Sequence, residues 1–199
     1  MNCIIESGRA SDDLYMKYSL FLSPIVWLSR FRNRCGYGVH SPFAFGFITD
    51  VIYERGMYYS YRELDTLFAF YEILLDARPR KIYRLLFRVL NFAHPKYALF
   101  LGDDAIAYEF LRKASSTTVW GNECSGQPVG FVYIDKFVSD VLDCVNSGTI
   151  LVLGHLRSNK KMWDNIKENS RTVLSFDLYD VGIAMFDNQY YPTNYIVNF

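Results

Sequence analysis

Apolar and polar positions change rhythm near residue 96, from helical spacing to short apolar runs. In the first half apolar residues recur three and four apart, and capping residues mark the ends of each run. Ser23-Pro24 opens a helix predicted near 24–35, with Arg30, Arg32 and Arg34 towards its carboxyl end and Gly36 behind it. Ser41-Pro42 repeats the start signal, and Phe43, Phe47, Ile48 and Val51 give the apolar face of a second helix over about 42–54, stopped by Gly56. Ser60 and Glu63 form a capping box ahead of Leu64, Leu67, Phe68, Tyr71, Leu74 and Leu75, which predicts a third helix ending at Pro79. A fourth, near Arg80–Ala93, sets Ile82, Leu85, Leu86, Val89 and Leu90 against a basic stripe of Lys81, Arg84 and Arg88. That stripe reads as a solvated face.

From Tyr97 the pattern is strand, turn, helix. Tyr97–Gly102 is an apolar run ending in glycine, and Ala105–Ala114 follows with Ile106, Phe110 and Leu111 inward and Asp103 or Asp104 as cap. Val129–Asp135 reads as a buried strand before a helix near Ser139–Asn146, and Thr149–Leu153 as a strand before a helix at Ser158–Glu168. Such alternation predicts a mostly parallel sheet covered on both faces. Thr172–Leu178, Gly182–Phe186 and Asn194–Phe199 follow without helices, which predicts an antiparallel pair at the sheet's edge. The fold class expected is α/β, with an N-terminal helical region over 1–95 and an incomplete α/β unit over 96–199.

Composition sharpens this in three ways. With 51% hydrophobic residues in 199, the chain can bury a substantial core. Its 21 basic residues balance 21 acidic ones, which removes the electrostatic footprint of a nucleic-acid binder. Residues 1–96 carry 13 basic against 9 acidic groups and residues 97–199 carry 8 against 12, so the two halves differ in sign. The stretch Leu14–Leu28 is interrupted by Lys17 and Ser23-Pro24 and is short of the roughly 20 residues that span a membrane. No membrane partner is expected. Cys3, Cys35, Cys124 and Cys144 lack metal-ligand spacing and no cleavable leader precedes them. Cys124 and Cys144 read as ordinary thiols, and the reducing cytoplasm as the compartment.

Three side chains could carry chemistry. His40 sits in a glycine-flanked turn ahead of a capped helix, while Asp135 and His155 follow predicted strands, where open α/β sheets place ligands. Asp135 on its own reads more readily as a strand-end cap or structural acceptor. No nucleophile elbow, phosphate loop or metal cage is present.

The strand-turn-helix at 97–114, the strand ending in Ile134-Asp135, the strand at 149–153 and the final hairpin resemble class I S-adenosylmethionine-dependent methyltransferases. The strings GYGVHSPFAFGFITDVI (Gly36–Ile52), RLLFRVLNFAHPKYALFLG (Arg84–Gly102) and DLYDVGIAMF (Asp177–Phe186) are similar to a bacterial methyltransferase-like family, with GVHSPF as the most specific element. The resemblance implies a cofactor site at Gly102, Asp103 and Asp104, with Glu123 in the place of the ribose ligand. It also implies an acidic residue where Phe100 stands, and glycines where Asp104 and Ile106 stand. Asp104 would set a negative charge against the cofactor's carboxylate. Metal-dependent members would pair Asp135 with aspartates where Gly154 and His155 occur, so no metal is expected. Gly121–Pro128 is too short for the third strand and its helices. The expectation is therefore a truncated Rossmann-like methyltransferase sheet with no cofactor, acting as a binding or interaction module on an unknown protein or small molecule, with homodimerisation a further possibility. If it is active, S-adenosylmethionine is the cofactor. A self-associating structural role is the third reading. The shortened connection leaves Thr117–Trp120 as an edge strand, over which Leu14–Leu28 is expected to pack near Trp120.

Overall fold

The computed structural model describes residues 28–33, 36–74, 79–124 and 126–199. The helices are α1 (Pro42–Phe47, continued by a π-helical turn at Ile48–Ile52), α2 (Tyr59–Leu74), α3 (Arg80–Ala93), α4 (Ala105–Ala114) and α5 (Lys160–Glu168). The strands are β1 (Tyr97–Leu101), β2 (Val119–Gly121), β3 (Phe131–Ile134), β4 (Ile150–Gly154), β5 (Leu174–Asp177), β6 (Val181–Met185) and β7 (Thr193–Ile196). They form one seven-stranded sheet in the order β2-β1-β3-β4-β6-β5-β7. β2, β1, β3 and β4 run parallel, and β6 runs antiparallel to both β4 and β5. The chain is thus α/β, with a mostly parallel Rossmann-like sheet and a helical N-terminal region.

Alternation along the strands divides the core. Ala98, Phe131, Tyr133, Val152 and Phe176 face one way, into a cluster built with Phe47, Ile52, Leu64, Leu86, Leu90 and Phe110 from the helices. Leu99, Val132, Ile134, Leu151 and Leu153 face the other way, where α5 supplies Met162, Trp163 and Ile166. Four helices cover the first face. The second has α5 and a 3-10 turn at Val141–Cys144.

Several expectations hold. Ser41 caps α1, its hydroxyl accepting from the Ala44 N–H at 3.3 Å, with Pro42 at the first helical position. Asp104 caps α4, accepting from the Ala107 N–H at 2.9 Å. β2 is an edge strand, and no helix lies between β2 and β3 among the described residues. The segment Leu14–Leu28, expected over that edge, lies outside the described residues apart from Leu28, as do residues 24–27 and 34–35 of the helix expected near 24–35, within which Phe31–Asn33 form a 3-10 turn.

Others are corrected. The predicted capping box does not form: α2 begins at Tyr59, so Ser60 stands inside the first turn. That turn is set by ring packing, with Tyr58 and Tyr61 both edge-on to Phe87 at 5.0 and 5.1 Å. Glu63 instead meets Lys113 on α4 at 2.7 Å. The helix expected at Ser139–Asn146 is only the 3-10 turn, whose three-residue repeat sets Val141 and Cys144 on one buried side. The antiparallel pair is not at the edge, because β7 pairs parallel to β5 and takes the outermost position. The basic stripe of α3 is not a solvated face. Arg88 is buried and donates to the Val51 and Ile52 carbonyls, and Arg84 meets Asp65 at 2.6 Å. Lys81, on the exposed end of the stripe, donates to the Phe199 carbonyl at 2.8 Å. Cys124 and Cys144 are not free thiols either. They form a disulfide with a Cα–Cα separation of 5.4 Å, tying the β2–β3 loop to the 3-10 turn. Sequence spacing could not show this, since the two lie on different connections, one after β2 and one after β3. Such bonds persist in oxidising compartments.

Candidate functional site

β1 and β3 are parallel and in register, Leu101 opposite Ile134, so the residues that follow each strand emerge side by side. Gly102 follows β1 and Asp135 follows β3. A Cβ on Gly102 would stand 2.7 to 2.9 Å from the Asp135 carboxyl atoms, so glycine alone lets that carboxylate into the turn. There it accepts from the Asp103 N–H at 3.1 and 3.2 Å and from the Asp104 N–H at 3.0 Å. These are the amides left open by the strand-to-helix turn. The turn is closed from within the chain.

The neighbouring groups lock it. Asp104 turns its carboxylate away from the strand ends, capping α4 and accepting from the Tyr83 hydroxyl at 3.2 Å. Lys136 reaches Asp103 at 2.6 Å, an exposed pair that contributes little to stability. Asn159, just before α5, donates to the main-chain oxygens of Asp135 and His155 at 3.2 and 3.3 Å. His155 is exposed and holds a left-handed backbone, φ 50°, at the end of β4.

Gly102, Asp103, Asp104 and Asp135 are therefore brought together, and His155 is joined to them through Asn159. Two candidates are not. Glu123 is exposed on the β2–β3 loop beside the disulfide, and His40 is exposed on the loop before α1, with no hydrogen bond to the strand ends among the described residues. No group of three or more His, Cys, Asp or Glu could hold a metal ion among the described residues.

Beside Gly102 lies an open cleft of about 370 Å³, walled by Phe100, Tyr108 and Trp120 with Asp103 at its rim. Phe100 stacks on Tyr133 with ring centres 5.0 Å apart, and Trp120 meets Phe131 edge-on at 6.5 Å. The indole N–H of Trp120 is enclosed and meets no acceptor among the described residues. The sequence hinted at this aromatic wall only through Phe100, read as a departure from a pattern. A larger groove of about 610 Å³ runs between α1 and α3, and its charged groups Glu54, Asp50 and Arg88 are engaged with Tyr58, Thr49 and main-chain carbonyls respectively.

No family model matches the chain, and no curated protein matches it. Among solved structures it is similar to a methyltransferase from Geobacter sulfurreducens, at 11% identity and a TM-score of 0.44, over 66% of this chain and 90% of that one. It is also similar to the SAH-bound methyltransferase PaMTH1 of Podospora anserina, at 12% identity and a TM-score of 0.36, over 94% of this chain and 100% of the other. Likeness at this level bears on neither activity nor ligand. No helix among the described residues is long and apolar enough to cross a membrane.

Proposed function

We propose that this chain is a methyltransferase-fold binding module that does not hold S-adenosylmethionine. The observation that carries the reading is the Asp135 carboxylate on the N–H groups of Asp103 and Asp104. In the class the sequence resembles, such amides receive the cofactor's own carboxylate; here an internal group of the same charge takes them. A second carboxylate 4 Å away would meet a repulsion of about 4 kcal/mol at an effective dielectric constant near 20. Asp103 and Asp104 add to that repulsion. The missing helix between β2 and β3 supports the same reading, because it removes cover from the side where the cofactor's base would lie.

Calorimetry with S-adenosylmethionine and with its demethylated product tests this. No heat of binding is expected. A dissociation constant below about 100 µM for either, near −5.5 kcal/mol, overturns the reading.

A further inference from the structure

The three rings that wall the cleft come from three elements: Phe100 from β1, Tyr108 from α4 and Trp120 from β2. They are set roughly at right angles in sequence. Phe100 and Tyr108 have centres 5.0 Å apart at 65°, and Tyr108 and Trp120 have centres 5.9 Å apart at 72°. Ring faces are electron-rich and attract a cation placed over them. The surrounding charge has the matching sign. Asp103 lines the cleft and is paired with Lys136, and Asp104 and Asp135 stand in the adjoining turn.

We propose that this cleft binds a quaternary or fully alkylated ammonium group, an inference that rests on the reading that the chain is a binding module. Three carboxylates in and beside the cleft disfavour an anion. A primary ammonium is strongly hydrated and needs acceptors. Here the Asp103 carboxylate is already on Lys136 and the Asp135 carboxylate on main-chain N–H groups. An alkylated ammonium needs none: its charge is spread under an apolar surface that suits aromatic walls, and the carboxylates attract it through their field alone.

The probes are choline and its uncharged carbon isostere, 3,3-dimethyl-1-butanol, titrated calorimetrically into the full chain. Choline is expected to bind at least about tenfold more tightly than the isostere. Equal affinity, or no binding of either, overturns the proposal. Tyr108→Leu keeps apolar bulk and removes a ring face, so the preference for choline is expected to collapse. Asp103→Asn, at a well-exposed position that carries little folding cost, is expected to weaken choline about threefold and leave the isostere unchanged. Unaltered choline binding in both variants also overturns it. A trimethyl-lysine peptide against its unmethylated form separates a protein-borne group from a free one, either of which supports the assignment. S-adenosylhomocysteine, which carries no sulfonium charge, is titrated in parallel. Its binding would sink the cofactor-free reading while leaving the choline comparison to be judged separately.

Discussion

Arg88 on α3 donates to the Ile52 carbonyl at 2.8 Å, and its other nitrogen reaches the Val51 carbonyl at 2.7 Å. These oxygens end the π-helical turn, where the main chain offers no further N–H. A guanidinium fork fits two adjacent carbonyls, and burial strengthens both bonds. Arg88→Met is therefore expected to cost about 3 kcal/mol, read from urea unfolding. Arg88→Lys should recover only part of it, because an ammonium is a point charge. A lysine variant as stable as the parent would contradict this account.

Gly102 and Asp135 should behave as one unit. Gly102→Ala forces the carboxylate from the turn and is expected to cost about 2–4 kcal/mol. In a background already carrying Asp135→Ala the same change should cost much less. Additive costs would mean the carboxylate does not need the space glycine leaves.

The disulfide closes a loop of 20 residues, for which about 3 kcal/mol is expected from the restricted unfolded chain. Cys124→Ser and a reducing agent should each lower the unfolding midpoint, and the two together should do no more than one. Thiol titration of the denatured protein should find two more reactive groups after reduction than before. An unchanged count would show that the bond does not form.

Hydrogen bonds from Lys160 first, and then Lys167, hold the Asp164 carboxyl below its usual range. A carboxylate favoured in the folded state adds stability that is present above its unfolded value and is lost as pH falls through the folded one. Since all three groups are partly exposed, the contribution is a few tenths of a kcal/mol. Asp164→Asn should thus be slightly less stable than the parent near neutrality, with the gap closing on acidification through and below the ordinary carboxylate range. A gap that widens in acid would reverse the assignment.

Helical periodicity and turn chemistry made most elements legible. The caps at Ser41 and Asp104 and the strands at 97, 131 and 150 follow from local signals, and the lack of room after Gly121 foretold a β2–β3 connection without a helix among the described residues. What escaped depends on distant neighbours. Arg88 looked solvated because nothing local says that the carbonyls of Val51 and Ile52 lie against it. Cys124 and Cys144 looked unrelated because they lie on different connections, one after β2 and one after β3. At the site, Gly102, Asp103, Asp104 and Asp135 were each visible in the sequence. That Asp135 would enter the turn at Gly102 was not, because it depends on the register of β1 against β3. The cleft's rings come from three separate elements, so no single window of sequence contained them.

Arg30 holds Asp177 at 2.8 Å across 147 positions of chain, and Phe47 packs on Phe176 with ring centres 5.0 Å apart. Phe43 lies against Tyr190, further still along the chain, at 4.1 Å. A ribosome releases the amino-terminal partners first, and at ordinary elongation rates the others follow on the order of ten seconds later. During that interval the aromatic face of α1 has no sheet strand at positions 174–177 to close on. Until then Phe43 and Phe47 have Phe92 beside them, at 6.3 and 5.2 Å between ring centres, but not the strand that completes their packing.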